Sequence, residues 1–170
     1  MPGPAFREGE QVELRPVESG DYDFLVSNAN TLAIRLVTDT NSPLTRDDVA
    51  GLIEADDSVH FLVCVDGDPV GTIWLFHEAP VHGRAEFGYW IAADERGKGY
   101  ATEAATLLRE YATTERRLRR LMARVFEGNE ASKRVLEKIG FEQEGRLRDH
   151  YYVDGEFLDA TLYGWIADES

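Results

Sequence analysis

Gly88-Tyr-Trp-Ile-Ala-Ala-Asp-Glu-Arg-Gly-Lys-Gly-Tyr-Ala-Thr-Glu-Ala-Ala105 is the stretch on which the fold turns. An apolar strand runs into Arg96-Gly97-Lys98-Gly99-Tyr100-Ala101, and a helix-forming segment starts directly behind it. Two glycines and a small residue let main chain approach a ligand closely, while the helix start aims unpaired N–H groups and its positive dipole end at the same place. Such a junction suits a pyrophosphate. A dinucleotide-binding G-x-G-x-x-G fails because Thr102 stands at the third glycine position and several strands lie upstream. A Walker A loop fails because no Gly-Lys-Ser/Thr closes it.

Outward from this junction the chain reads as one domain over residues 1–170, with no repeat, low-complexity block or linker. Val12–Val17 alternates as a strand, and Asp21–Asn30 reads as a short helix with Ser19 or Asp21 as cap. Arg46–Ala55 reads as a helix capped by Thr45, with Asp48 three residues on. His60–Val65 and Val70–Phe76 form a hairpin about the turn Asp66–Pro69, and Arg84–Ala92 is the next strand. Ala101–Arg116 carries Ala104, Leu107, Leu108 and Tyr111 at i, i+3, i+4, i+7, the apolar stripe of a helix. Then follow a strand Arg120–Phe126, a helix Asn129–Ile139 closed by Gly140, and a hairpin of Phe141–Val153 with Glu156–Ile166. The order predicts a mixed α/β sheet with helices on both faces.

The balance of 32 acidic against 18 basic residues gives a formal net charge of −14, and only Lys98, Lys133 and Lys138 are lysines. So acidic a surface opposes nucleic-acid and anionic-membrane binding, and fits a salty interior where screening relieves self-repulsion. No apolar run approaches a membrane span, Met1-Pro-Gly-Pro lacks a signal-peptide h-region, and the single Cys64 excludes an internal disulfide; a cytoplasmic protein is expected.

The Arg96-x-x-Gly99-x-Ala101 loop, Asn129-Glu-Ala-Ser132 and Gly140-Phe141 resemble the GNAT superfamily of acyl-CoA-dependent N-acetyltransferases. Glu86-Phe-Gly-Tyr-Trp-Ile91, Glu144-Gly145, and Tyr152-x-x-Gly155 followed by Asp159 and Tyr163 are similar to the branch of ribosomal-protein N-terminal acetyltransferases. The resemblance covers nearly the whole chain. It implies a mostly antiparallel sheet of about seven strands splayed at its centre. It implies acetyl-CoA as co-substrate and no metal, with the pyrophosphate held by main-chain amides of Arg96, Gly97, Lys98, Gly99, Tyr100, Ala101 and Thr102. The strand edge at Ile91 and Ala93 would pair with the peptide-like pantetheine arm, and Asn129 would bond it from the other side.

Direct attack of an amine on a thioester needs a deprotonated amine, N–H groups for the developing oxyanion, and a proton for the leaving thiolate. Ser132 is the candidate proton donor, because similar proteins of this branch carry a serine there. Many GNAT proteins use a tyrosine further along that helix, where this chain has Leu136. The alternative for Ser132 is a first-turn serine bonded to its own backbone. For the base, Glu86 on the central strand is the candidate, because a carboxylate is costly to bury unless it is used or paired, and a salt-bridged or rim Glu is the alternative. Tyr151, also a candidate catalytic residue, stands where some relatives carry a carboxylate, a departure that puts that base in doubt; water can suffice, since an N-terminal amine titrates near 8.

The acceptor implied is a protein or peptide N-terminus, with a polyamine, amino acid or aminoglycoside as alternative. A non-catalytic acyl-CoA sensor is the reading from another class. A homodimer through the apolar closing hairpin is a further expectation. His77-Glu-Ala-Pro-Val-His82 reads as a loop bordering the substrate mouth rather than a zinc motif, since Pro80 breaks the helix that motif requires. Cys64 reads as a buried hydrophobe and Arg116–Arg120 as a solvated helix end; Trp74, Trp90 and Trp165 read as core.

Overall fold

The computed structural model describes residues 3–168. Eight strands form a single sheet in the order β1-β2-β3-β4-β5-β6-β8-β7. They are β1 Arg7–Glu8, β2 Glu13–Pro16, β3 Val59–Val65, β4 Asp68–Ala79, β5 Arg84–Ile91, β6 Arg120–Phe126, β7 Glu142–Val153 and β8 Glu156–Ile166. The helices are α1 Tyr22–Ala29, α2 Leu32–Arg35, α3 Arg46–Ile53, α4 Tyr100–Thr114 and α5 Glu130–Lys138. Neighbouring strands are antiparallel except β5 and β6, which run parallel.

That exception makes the site. The β5–β6 pairing holds only Arg84↔Arg120, Ala85↔Leu121 and Glu86↔Met122. Beyond Glu86 the strands diverge, so the facing edges of Phe87–Ile91 and of 123–126 have no strand partner there. Two polar main-chain edges then face one gap, and such groups need partners.

Strand alternation sends neighbouring residues to two cores. Phe61, Val63, Ile73, Leu75, Phe87 and Ile91 pack under α4 and α5, whose Ala104, Leu107, Leu108, Tyr111 and Leu136 complete that core. Leu62, Cys64 and Trp90 lie on the other face, under Leu25, Ile34 and Val49 of α1, α2 and α3. Helices therefore cover both faces. Burial pushes the Cys64 thiol up to about 11, which makes it inert.

The caps explain several boundaries. Thr45 and Asp48 form a reciprocal capping box at α3. At α5, Gly140 (φ 95°) follows the C-cap; its N–H donates to Glu137 O at 3.1 Å and that of Phe141 to Leu136 O at 2.9 Å, the Schellman pattern.

The structure departs from the sequence expectations at some ends. Ser19–Asp21 is a 3₁₀ turn; Asp21 stands at the N-cap of α1 as expected, but its side chain makes no cap bond there and accepts from the Glu18 N–H at 2.8 Å. β4 continues through His77 to Ala79 by way of a register shift, with His77 at φ 50°, so only residues 80–83 form the turn expected from 77 onward. α4 stops at Thr114; Arg116 reaches back to Glu78 of β4 at 2.6 Å, and Arg120 of β6 pairs with Glu144 of β7. The run starts just past the α4 C-cap, Glu115, with Arg116 and Arg117 exposed, and its two end arginines also tie to β4 and β7. Trp90 is buried, whereas Trp74 and Trp165 are only partly so.

Candidate active site

The gap between β5 and β6 opens into a cleft of about 530 Å³. It brings together Glu86, Ile91, Arg96, Gly97, Gly99, Tyr100, Ala101, Thr102, Asn129, Ser132 and Tyr151, which lie far apart in sequence. Two expected residues are not in its lining. Ala93 begins a 3₁₀ turn past the end of β5, and the Lys98 ammonium is paired with Glu95 at 2.9 Å.

The loop has the backbone a close approach requires. Gly97 and Gly99 hold φ 78° and 83°, where side chains are strained. A Cβ on Gly97 would meet nothing within 4 Å, and one on Gly99 would meet only Gln11 Nε2 at 3.8 Å. Gly99 is the N-cap of α4, so the first N–H groups of that helix point at the same open space. Arg96 is tied down, donating from Nε to Ile91 O at 3.1 Å and from Nη2 to Ala33 O at 3.3 Å.

The odd spacing of Glu86 and Tyr89 puts them on opposite faces of β5. On the α5 side, Tyr89 Oη lies 2.7 Å from Ser132 Oγ. Burial pushes the Tyr89 phenol above its ordinary value, with the Ser132 bond opposing. Asn129 caps α5 by accepting the Ser132 N–H at 3.2 Å, which fixes the serine in the first turn with its hydroxyl on Tyr89.

On the other side, Glu86 is buried and accepts from Arg124 Nη2 at 2.9 Å through Oε1. Its Oε2 has no hydrogen-bond partner among the described residues, and His77 Nδ1 stands 3.7 Å away. Tyr151 stacks on Phe126 at 4.0 Å, its phenol raised by burial and held down in part by Arg124. Trp74, Trp90 and Asp39 complete this wall. Tyr89, Arg124 and Trp74 were not singled out from sequence as site residues. The parity of Glu86 and Tyr89 along one strand was the signal available.

Among the described residues, no group of three or more His, Cys, Asp or Glu is placed to hold a metal, and no helix is long and apolar enough to cross a membrane.

The pattern of the acetyltransferase (GNAT) domain matches residues 11–142. The chain belongs to the GNAT acetyltransferase family. Membership places it among the enzymes that transfer acetyl groups to nitrogen. A Bacillus subtilis protein named for ribosomal N-acetylation, YdaF, is 41% identical over 104 residues, which is 61% of this chain but 57% of that one. The spermidine N(1)-acetyltransferase of Escherichia coli is 31% identical over 153 residues, 88% of this chain and 82% of that enzyme. Among solved structures, Mycobacterium smegmatis RimJ in complex with CoA-disulfide superposes with a TM-score of 0.83 at 25% identity, covering 93% of this chain and 83% of RimJ. The GNAT resemblance and the splayed sheet expected from it are thus found, with eight strands in place of seven.

Proposed function

We propose that this GNAT protein acetylates a primary amine at a protein or peptide N-terminus, using acetyl-CoA. The residues present suit such a co-substrate. Open space above Gly97 and Gly99 and the free N–H groups of α4 match a pyrophosphate, and the two edges that lack a strand partner match an amide-rich arm. Main chain of Arg96, Gly97, Lys98, Gly99, Tyr100, Ala101 and Thr102 would hold the former, with Ile91 and Asn129 on the latter. When bound, acetyl-CoA supplies an acyl carbon activated by its thioester.

The observation that carries the acceptor is the state of Glu86. A buried carboxylate with one oxygen on Arg124 and the other unpartnered offers one acceptor position to one ammonium group. There Glu86 Oε2 receives the amine and takes its proton, directly or through water, with His77 alongside. Arg124 already neutralises that carboxylate, which leaves Asp39 as the other acidic group on this wall and little charge for several cations at once. Ser132, on the opposite face, gives the proton to the leaving sulfur.

A polyamine acceptor is the second reading, favoured by the likeness to spermidine N(1)-acetyltransferase over most of both chains. Incubation with acetyl-CoA and matched panels of N-terminal peptides and polyamines, following free thiol, separates the two. Faster turnover of spermidine than of every peptide would overturn the N-terminal reading.

A further inference from the structure

Tyr89 has no role in the chemistry derived above, yet it is held hydroxyl to hydroxyl against Ser132 at 2.7 Å inside the cleft. An alkyl hydroxyl alone is a poor proton donor, because its alkoxide is far more basic than a thiolate. A phenol titrates near 10 and a thiol near 8.5, so a phenol is much better matched to the leaving sulfur. Burial raises the Tyr89 phenol, which keeps it protonated at neutral pH and makes it a weaker acid than a free phenol, though still a far stronger one than an alkyl hydroxyl. Either hydroxyl can donate across this contact; with the phenol as donor to Ser132 Oγ, the serine's own hydrogen is free to point into the cleft. The helix tyrosine of other GNAT proteins is absent here, with buried Leu136 in its place, and the phenol that stands against Ser132 comes from β5 instead.

We propose that Tyr89 is the source of the proton that Ser132 passes to the departing coenzyme A sulfur, the two hydroxyls acting as a relay. The proposal rests on the reading of Ser132 as proton donor. The carbon–sulfur bond breaks with its electron pair on sulfur. The Ser132 O–H breaks as S–H forms, and the Tyr89 O–H breaks as a new Ser132 O–H forms. The phenolate then recovers a proton from water. The amine's surplus proton leaves by the Glu86 face, so one proton is lost from nitrogen and one gained by sulfur. Tyr89 touches no reacting atom and acts only through Ser132.

The test uses the full chain with acetyl-CoA and whichever amine of the panel it turns over fastest. Tyr89→Phe keeps the ring and its packing and removes only the hydroxyl. It is expected to lower kcat about a hundredfold, with coenzyme A Kd by calorimetry and amine KM within about twofold of the parent. The Tyr89→Phe/Ser132→Ala double variant is expected to be no slower than Ser132→Ala alone, since a relay broken twice loses nothing more. Rates in mixed H₂O/D₂O should bow for the parent, with two protons in flight, and run straight for Tyr89→Phe.

A Tyr89→Phe variant with parental kcat, beside a slow Ser132→Ala, would overturn the relay and leave the serine as sole donor. Multiplicative losses in the double variant would also overturn it, as would a coenzyme A affinity falling in step with kcat. A silent Ser132→Ala would instead remove the underlying reading of the serine.

Discussion

Glu103 in the first turn of α4 accepts three main-chain N–H groups at once: Glu10, Gln11 at 3.0 Å and Val12 at 2.9 Å. It thereby fastens the turn between β1 and β2 to the helix that begins at the Gly-rich loop. Replacing Glu103 by Ala removes three hydrogen bonds to a charged acceptor. Each is worth about 1.5–3 kcal/mol where water is excluded, and about 1 kcal/mol here, because the site is half exposed and water can replace part of each bond. The expected loss is therefore about 3 kcal/mol, which for a chain of this size lowers Tm by about 6–12 °C. Urea unfolding followed by tryptophan fluorescence, with calorimetry for Tm, measures it. Glu142→Ala, at an exposed position, serves as the control and should change stability by less than about 0.5 kcal/mol. A Glu103→Ala loss below about 1 kcal/mol would refute the clamp, because three such bonds cannot sum to so little. Since Gln11 Nε2 lies beside Gly99, the same variant should also weaken coenzyme A binding.

Gly99→Asp should abolish acetyl-CoA binding by placing a side chain and a negative charge where the loop turns at φ 83°; unchanged calorimetric affinity would sink the pyrophosphate assignment. His60 stacks on Trp74, and burial lowers its pKa to about 4 against 6.5 when unfolded. Between those values the unfolded chain binds the extra proton, so this contribution is complete above about pH 6.5 and falls away toward pH 4, by up to about 3 kcal/mol. His60→Phe should flatten that part of the stability profile, and an unchanged slope would exclude His60 as its cause. With net charge −14 and with Lys98 and Lys133 both ion-paired to glutamates, folding stability and acetyl-CoA affinity should rise together from dilute buffer to molar KCl. A steady fall in both would show that local attraction governs.

What was legible in the sequence follows the strength of local signals. The run Arg120–Phe126 is flanked by breaks in pattern on both sides and is found as that strand. The α3 cap was readable because Thr45 and Asp48 carry their own hydrogen-bonding instructions. β1 was not, since two residues, Arg7 and Glu8, have no period to show; they become a strand only by pairing with Leu14 and Glu13. α2 is a single turn, for which Thr31 as N-cap was the sole cue. The Gly-rich loop announced itself through glycines that only special backbone requires. Tyr89 did not, because a tyrosine between glycine and tryptophan in a strand reads as packing until the partner across the cleft is known. Arg124 is similar: its meaning comes from lying beside Glu86, 38 residues away.

The short β5–β6 pairing has a consequence for how the molecule opens. Three residue pairs join strands β1–β5 to the block of β6, β8 and β7, while β7 and β8 are matched along most of their length. The sheet is a page with a perforation down the middle. Amide hydrogens flanking the gap, at residues 87–91 and 123–126, should exchange by a local parting that leaves either half intact, and more readily than those of β3 or β8. A molecule laid along both edges would act as the missing stitches. Coenzyme A should therefore slow exchange on both sides of the seam together, although the two stretches belong to different halves of the fold.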